Sequence, residues 1–188
     1  KRKIRNALLI LGVLVFSKYF YIASMTNYFT FFLMEKFSMS VQGAQYALFA
    51  FLAASAAGTF IGGPVGDRIG RKYVIWGSIL GAAPFTLMLP YAGLTGTIVL
   101  AVVIGLVISS AFSAILVYAT DLMPGKVGMI AGVFFGMMFG LGGLGSAFFG
   151  WLADRTSIEF IFRVSTLLPL LGIITGFLPN IELKRDEK

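Results

Sequence analysis

Apolar residues dominate this chain in six long runs, which are separated by short connectors rich in charge, glycine, proline or serine. The runs cover roughly residues 7–34, 42–65, 73–91, 96–119, 126–153 and 160–178. Each has about 20 residues, enough for an α-helix to cross the hydrocarbon core of a bilayer. Backbone groups find no water there, so we expect every run to be helical. The pattern predicts an all-α membrane protein with six transmembrane helices within residues 1–188.

The composition agrees with a membrane protein and narrows its chemistry. The chain is 58% hydrophobic and 12% charged, with a mean hydropathy of +0.91, whereas a soluble domain averages about 25% charged residues. It has no cysteine and no histidine, which excludes disulfides, thiol or imidazole catalysis and the usual zinc sites. No pair of acids converges within a run. We therefore expect that the protein is not an enzyme and that it binds neither a metal ion nor another cofactor.

The distribution of basic residues predicts the topology. If residue 1 lies in the cytoplasm and the chain crosses six times, the outer side receives only Lys36 and Arg155. Eleven bases then lie on the cytoplasmic side: Lys1, Arg2, Lys3, Arg5, Arg68, Arg71, Lys72, Lys126, Lys184, Arg185 and Lys188. Such an excess of bases is typical of cytoplasmic connectors. We expect both ends in the cytoplasm, and because topology explains the net charge of +7, we expect no nucleic-acid partner.

Small residues recur at every fourth position in the second and fifth runs. They are Ala50, Ala54, Gly58, Gly62 and Gly66 in the second run, and Gly128, Gly132, Gly136 and Gly140 in the fifth. Such stripes let helices approach closely. One interpretation is ordinary packing within the membrane, and the other is a moving contact between two helical bundles. The glycine density of the fifth run favours a moving contact, because glycine lowers helix stability relative to alanine.

The connector between the second and third runs carries a recognisable motif. From Gly63 to Tyr73 it reads GPVGDRIGRKY, with one acid and three bases, and its three glycines predict a tight turn. The pattern G-x-[apolar]-x-D-[R/K]-x-G-R-[R/K] resembles the signature loop of major facilitator superfamily transporters. A second charged segment, from Asp121 to Lys126, precedes the glycine-rich fifth run.

The resemblance implies one six-helix half of a transporter whose two halves rock about a site near the membrane midplane. The basic start and the charged residues 182–188 favour the C-terminal half. We therefore expect a piece of a longer protein, whose main partner is the missing N-terminal six-helix half.

The resemblance also implies a conformational latch. Its residues are Gly63, Asp67, Arg68, Gly70, Arg71 and Lys72. In this interpretation Asp67 accepts hydrogen bonds from a helix N-terminus of the other half, because that end of a helix is electrostatically positive. The alternative is an ordinary connector that only sets the topology.

Three further stretches, residues 16–21, 62–84 and 111–118, resemble a narrower group within the superfamily. These are bacterial inner-membrane drug exporters that act on the phosphonate antibiotic fosmidomycin. The resemblance implies drug efflux by antiport with protons, and neither composition nor periodicity reveals that substrate. An importer of a small metabolite with the same fold is the main alternative, and a non-transporting scaffold is a third. No carboxylate lies deep in any run, so a proton-carrying acid is expected in the missing half.

Lys18 lies near the centre of the first run, where a lysine costs roughly 2.5–3.5 kcal/mol to insert. At 100° per residue, one helix face within about 60° of arc carries four more side chains: Ser17, Tyr21, Ser24 and Tyr28. We predict a cavity wall whose cation suits an anionic small-molecule substrate. The alternative is that Lys18 pairs with a structural partner. Ser109 and Ser113 are predicted to line the same cavity, or else to bond their own helix.

Overall fold

The computed structural model describes residues 1–170, which form seven α-helices and one short 3-10 helix. The α-helices are α1 Arg2–Phe37, α2 Val41–Ile69, α3 Arg71–Met88, α4 Leu94–Ser109, α5 Ala111–Leu122, α6 Val127–Arg155 and α7 Ile158–Ser165, and the 3-10 helix Leu89–Tyr91 continues α3. The predicted all-α fold is confirmed for these residues.

Five stretches of the described residues are long and apolar enough to cross a membrane. They are α1, α2, α3 with its 3-10 extension, α4 together with α5, and α6, and they match the first five predicted runs. The sixth run begins with α7, and its remainder, residues 171–178, lies outside the described residues.

The fourth run differs from the single helix that its hydropathy predicts. It is interrupted at Ser110, where the backbone N–H donates to the carbonyl of Val107 at 3.3 Å instead of one residue further back. The Ser110 hydroxyl donates to the same carbonyl at 2.6 Å. Serine hydroxyls that compete for helix carbonyls bend helices, and the paired serines 109 and 110 lie at the break.

The connector after the second run is much shorter than the tight turn that its three glycines predict. Helix α2 continues through Pro64, Gly66 and Asp67 to Ile69, so Gly63 and Gly66 are helical and do not turn the chain. Gly70 alone separates α2 from α3, with φ 104° and ψ 136°. A glycine adopts this positive φ without the steric cost that a side chain would add.

The glycines of α2 pack against the broken fourth span. A Cβ added at Gly58 would overlap the carbonyl oxygen of Leu106, and one added at Gly62 would overlap that of Ser110. In the other direction, a Cβ at Gly105 would lie 2.7 Å from the carbonyl oxygen of Phe51. The small-residue stripe of α2 is therefore a close helix contact within this bundle.

The α6 stripe lies in a different environment. A Cβ at Gly128, Gly132, Gly136 or Gly140 would meet no atom of the described residues within 4 Å outside its own stretch of helix backbone. Helix α6 packs on α1 through another face, which buries Ile130, Phe134, Met138, Gly145 and Phe149. The two glycine-rich stripes, alike in sequence, thus have different surroundings among the described residues.

Candidate functional site

The charged motif lies where α2 ends and α3 begins. The N–H of Gly70 donates to the carbonyl of Gly66 at 3.0 Å, which closes α2, and Gly70 also precedes the first residue of α3. Because one residue joins the two helices, the last turn of α2 and the first turn of α3 are neighbours. Asp67 and Arg68 lie on the first of these turns, and Arg71 and Lys72 lie on the second.

Arg71 is the centre of this charged junction. Its Nη2 lies 3.3 Å from Oδ1 of Asp67, and its Nη1 lies 3.0 Å from Oδ2 of Asp121 at the end of α5. Sequence reasoning singled out Asp121 only as part of a second charged segment. The structure joins the two segments through the guanidinium of Arg71.

Asp67 remains largely exposed within this junction, with 69% of its side chain accessible. A carboxylate has about four acceptor positions, so the contact with Arg71 leaves capacity for a further donor. The arrangement can present an oriented anion at the bundle surface. The latch itself stays a prediction.

Lys18 is enclosed by the bundle, with only 1% of its surface accessible. Its Nζ has no hydrogen-bond partner among the described residues. It lies 5.2 Å from the ring centre of Tyr19 and 5.7 Å from that of Phe112. Aromatic faces attract cations, but these rings are not an anionic partner that would neutralise the ammonium charge. Among the described residues, Lys18 is therefore enclosed and has no hydrogen-bonded partner, and both interpretations of its role stay predictions.

The four other side chains of the predicted wall also point into the bundle. The hydroxyl of Ser24 donates to the carbonyl of Tyr21 at 2.7 Å. The hydroxyl of Tyr28 donates to the backbone carbonyl of Ser146 on α6 at 2.7 Å. The hydroxyl of Ser17 donates to the carbonyl of Leu168. Within the described residues these groups are buried or half-buried, because α1 contacts α2, α6 and α7. Their role in substrate binding stays a prediction.

Ser109 and Ser113 lie on either side of the break between α4 and α5. Ser109 is buried, and the Oγ of Ser113 is buried without a hydrogen-bond partner among the described residues. Three such atoms occur in the described part of the chain: Lys18 Nζ, Tyr21 OH and Ser113 Oγ. A buried polar atom without a partner costs about 1–3 kcal/mol. They are therefore candidates for contact with water or a ligand.

A polar contact between α1 and α6 was not predicted from the sequence. The Nδ2 of Asn27 donates to the hydroxyl of Ser146 at 2.7 Å, and that hydroxyl donates to the carbonyl of Gly142 at 2.9 Å. Asn27 is exposed. Ser146 is the single hydroxyl residue of α6, and its position within the glycine run was the available signal.

Two helices expose long apolar faces. Phe139 of α6 is 80% exposed and Phe60 of α2 is 82% exposed. These two helices are also the least buried of the five candidate spans. Their faces are available to lipid or to another protein unit.

Comparisons with known proteins agree with the helix pattern and the charged motif. The model of the Major Facilitator Superfamily matches residues 9–188. The chain is 62% identical over 180 residues to the fosmidomycin resistance protein of Escherichia coli (strain K12), covering 96% of this chain and 44% of that protein. It is 40% identical over 160 residues to the uncharacterized MFS-type transporter YfnC of Bacillus subtilis (strain 168), covering 85% and 39%.

The fold also resembles a solved structure, that of the POT family transporter PepTSo. The TM-score is 0.73 at 18% identity, and the match covers 98% of this chain and 37% of that one. This likeness concerns the fold alone. The chain spans less than half the length of the curated relatives it matches. With the family model matching nearly its whole length, the chain belongs to the Major Facilitator Superfamily.

Proposed function

We propose that this chain is the C-terminal half of a bacterial inner-membrane drug exporter whose substrate is fosmidomycin. The observation that carries the proposal is the 62% identity to the fosmidomycin resistance protein over 96% of the chain. Export proceeds by alternating access and is coupled to protons, with both ends of the chain in the cytoplasm. Import of a small metabolite by the same fold is the second candidate, because one half does not determine direction.

The second half of the transporter docks on the exposed faces of α2 and α6 in this proposal. A Cβ added at Gly132, Gly136 or Gly140 meets no other helix of the described residues within 4 Å, so another helix can approach this surface closely. The relatives' greater length leaves room for six further helices. A site between two halves exists only when both are present.

The charged junction acts as the latch of this transporter. Arg71 holds Asp67 from one side, and in this proposal the exposed carboxylate accepts hydrogen bonds from a helix N-terminus of the second half. That contact forms in only one access state. It therefore shifts the equilibrium between the two states by its own free energy.

Lys18 supplies the positive charge for an anionic substrate. A phosphonate forms strong charge-assisted hydrogen bonds with an ammonium group, and Lys18 Nζ has none among the described residues. For this contact the aromatic rings of Tyr19 and Phe112 must move aside, because they now lie over the ammonium. Tyr21 and Ser113, whose hydroxyls also have no partner there, complete the polar surface.

The proton-carrying acid belongs to the second half in this proposal. In the described spans, every acidic residue lies near a helix end: Glu35, Asp67, Asp121, Asp154 and Glu159. None is placed to carry a proton through the middle of the membrane.

Cells that lack endogenous fosmidomycin exporters provide the test. Expression of the complete transporter should lower fosmidomycin accumulation and raise resistance, and a protonophore should abolish both effects. Higher accumulation on expression would favour import. Unchanged accumulation with the protein present in the membrane would refute fosmidomycin as the substrate.

A further inference from the structure

Two consecutive residues of α1 form hydrogen bonds with one serine of α6. The Nδ2 of Asn27 donates to the hydroxyl of Ser146 at 2.7 Å and to the carbonyl of Ala23 at 2.9 Å. The hydroxyl of Ser146 donates to the carbonyl of Gly142 at 2.9 Å, and the hydroxyl of Tyr28 donates to the backbone carbonyl of Ser146 at 2.7 Å. We call the Asn27 amide and the two hydroxyls of Ser146 and Tyr28 the Asn27 cluster.

Every hydrogen that the Asn27 cluster can donate is already used within the bundle. An amide has two N–H donors and a hydroxyl has one, and the bonds above use all of them. The amide orientation is fixed, because the carbonyl of Ala23 accepts only and therefore must face Nδ2. The Oδ1 of Asn27 accepts no hydrogen bond from the described residues. The cluster thus offers acceptors and no donor.

The surface beside the Asn27 cluster is open. Asn27 is exposed, and a Cβ added at Gly142 or Gly143 would meet no atom of the described residues within 4 Å outside its own stretch of helix backbone. At 1.5 Å per residue, Asn27 and Ser146 each lie about 10 Å from the middle of their apolar run, which places them within the hydrocarbon core. An unpaired amide oxygen is unfavourable there, so a polar group should cover it in the working transporter.

We propose that Oδ1 of Asn27 accepts a hydrogen bond from an uncharged donor group of the transported substrate. The inference rests on the proposed function. Ionised phosphonate oxygens are acceptors, and they find no donor in the Asn27 cluster. The opposite end of fosmidomycin is an N-hydroxyformamide, whose O–H is a donor. Asn27 therefore selects the uncharged end of the molecule.

This contact is distinct from the one proposed for Lys18. Asn27 lies nine residues after Lys18, which places it on the opposite face of α1 at 100° per residue and about 14 Å farther along the helix axis. A molecule as small as fosmidomycin does not bridge the two residues around the helix. The two contacts therefore act at successive positions of the substrate, with Asn27 nearer the outer end of the predicted topology.

Flux of two compounds through the complete reconstituted transporter tests the proposal. Fosmidomycin is compared with an analogue that carries a methyl group in place of the N-hydroxyl, which keeps the phosphonate and removes the donor. The kcat/KM of the unmodified protein should favour fosmidomycin by about fivefold to tenfold, as one neutral hydrogen bond would. Asn27→Leu should remove this preference by lowering kcat/KM for fosmidomycin alone.

Two outcomes of this comparison would overturn the proposal. One is an equal kcat/KM for the two compounds in the unmodified protein. The other is an equal loss for both compounds in the Asn27→Leu variant. Such a loss would show that Asn27 supports the helix contact or pairs with a side chain of the second half, because neither role depends on the N-hydroxyl.

Two further variants separate the acceptor from the helix contact. Ser146→Ala removes the hydrogen bond between α1 and α6 but keeps Oδ1 of Asn27, so it should lower the thermal stability and retain the preference. Asn6→Leu makes the same substitution at another exposed position of α1 and should change neither compound's flux. Loss of the preference in a folded Ser146→Ala variant as large as in Asn27→Leu would contradict the assignment to Oδ1.

Failure of this contact is distinguishable from failure of the proposed function. If the folded, unmodified transporter moves neither compound, fosmidomycin export is refuted and the contact with it. If the transporter moves fosmidomycin and Asn27→Leu leaves its preference unchanged, the contact alone is refuted.

Discussion

Arg71 Nη1 donates a hydrogen bond to Asp121 Oδ2 at 3.0 Å, which joins the first turn of α3 to the end of α5. The same guanidinium reaches Asp67 on α2 at 3.3 Å. One side chain therefore links three helices at one end of the bundle. The link therefore holds the end of α2 against the third and the fourth spans.

Replacing Asp67 by asparagine should damage transport more than folding. The side chain is exposed, so its loss should leave membrane insertion intact. A helix-terminus contact is worth roughly 0.3–2 kcal/mol, enough to shift a two-state equilibrium by up to about thirtyfold, since 1.4 kcal/mol is tenfold. Resistance and membrane abundance are measured in cells expressing the complete transporter.

The control for this experiment is Glu159→Gln. Glu159 forms an exposed pair with Arg163 at the same i, i+4 spacing, 2.9 Å apart, and it lies outside the proposed latch. The Glu159→Gln substitution should leave resistance unchanged. Normal resistance of the Asp67→Asn variant at normal abundance would contradict the proposed latch.

Lys18→Met should fold but lose transport of the anion. Lys18 is buried without a hydrogen-bond partner among the described residues, so removing its charge relieves a desolvation cost. Lys18→Arg keeps the charge in a larger planar group and should retain partial function. Flux is measured per purified molecule, and full specific activity of Lys18→Met would exclude a role in substrate binding.

Gly62→Ala should destabilise the bundle, because the added Cβ overlaps the carbonyl of Ser110. Overpacking of this kind costs about 1–3 kcal/mol. Gly77→Ala is the matched control, since its Cβ meets no atom within 4 Å in the described part of the chain, and it should stabilise α3 by up to about 1 kcal/mol. Thermal unfolding compares the two, and an equal change in both would contradict the close contact between α2 and the fourth span.

Gly136→Leu probes the face on which the second half is proposed to dock. The isolated chain should tolerate it, because a Cβ added at Gly136 meets no other helix within 4 Å among the described residues. In the complete transporter the added side chain should separate the two halves and lower flux severalfold. Gly77→Leu, on α3, should preserve flux. If both variants transport like the unmodified protein, the α6 face is not the contact between halves.

The orientation in the membrane is tested with single cysteines, because the chain contains none. An impermeant thiol reagent added outside intact cells should label Leu94→Cys and spare Arg68→Cys. This result follows from the excess of bases on one side of the predicted topology. The reverse labelling pattern would require the opposite orientation.

Much of the fold follows from hydropathy, because a bilayer requires long apolar helices and the first five runs match the observed spans. The break at Ser110 was not predicted, since hydropathy does not distinguish a serine that bonds its own helix carbonyl from one that faces a neighbour. The junction residues Asp67 and Arg71 were recognisable from the motif. Their link to Asp121, about fifty positions away, depends on tertiary packing.

The side chains of α1 illustrate more clearly what cannot be predicted from the sequence. Spacing predicts that Tyr21, Ser24 and Tyr28 share one helix face, but spacing does not say whether that face meets an aqueous cavity or another helix. In the structure it meets the bundle itself. The stripes of α2 and α6 look alike in sequence, yet only the one on α2 is packed among the described residues.

The most direct test of the central claim is fosmidomycin flux in proteoliposomes under an imposed pH gradient. The complete transporter is compared with the 188-residue chain alone, each reconstituted at the same density. We predict saturable, protonophore-sensitive flux from the complete transporter and none from the chain alone, because the site requires both halves. Saturable flux from the isolated chain, or its absence from a folded complete transporter, would contradict it.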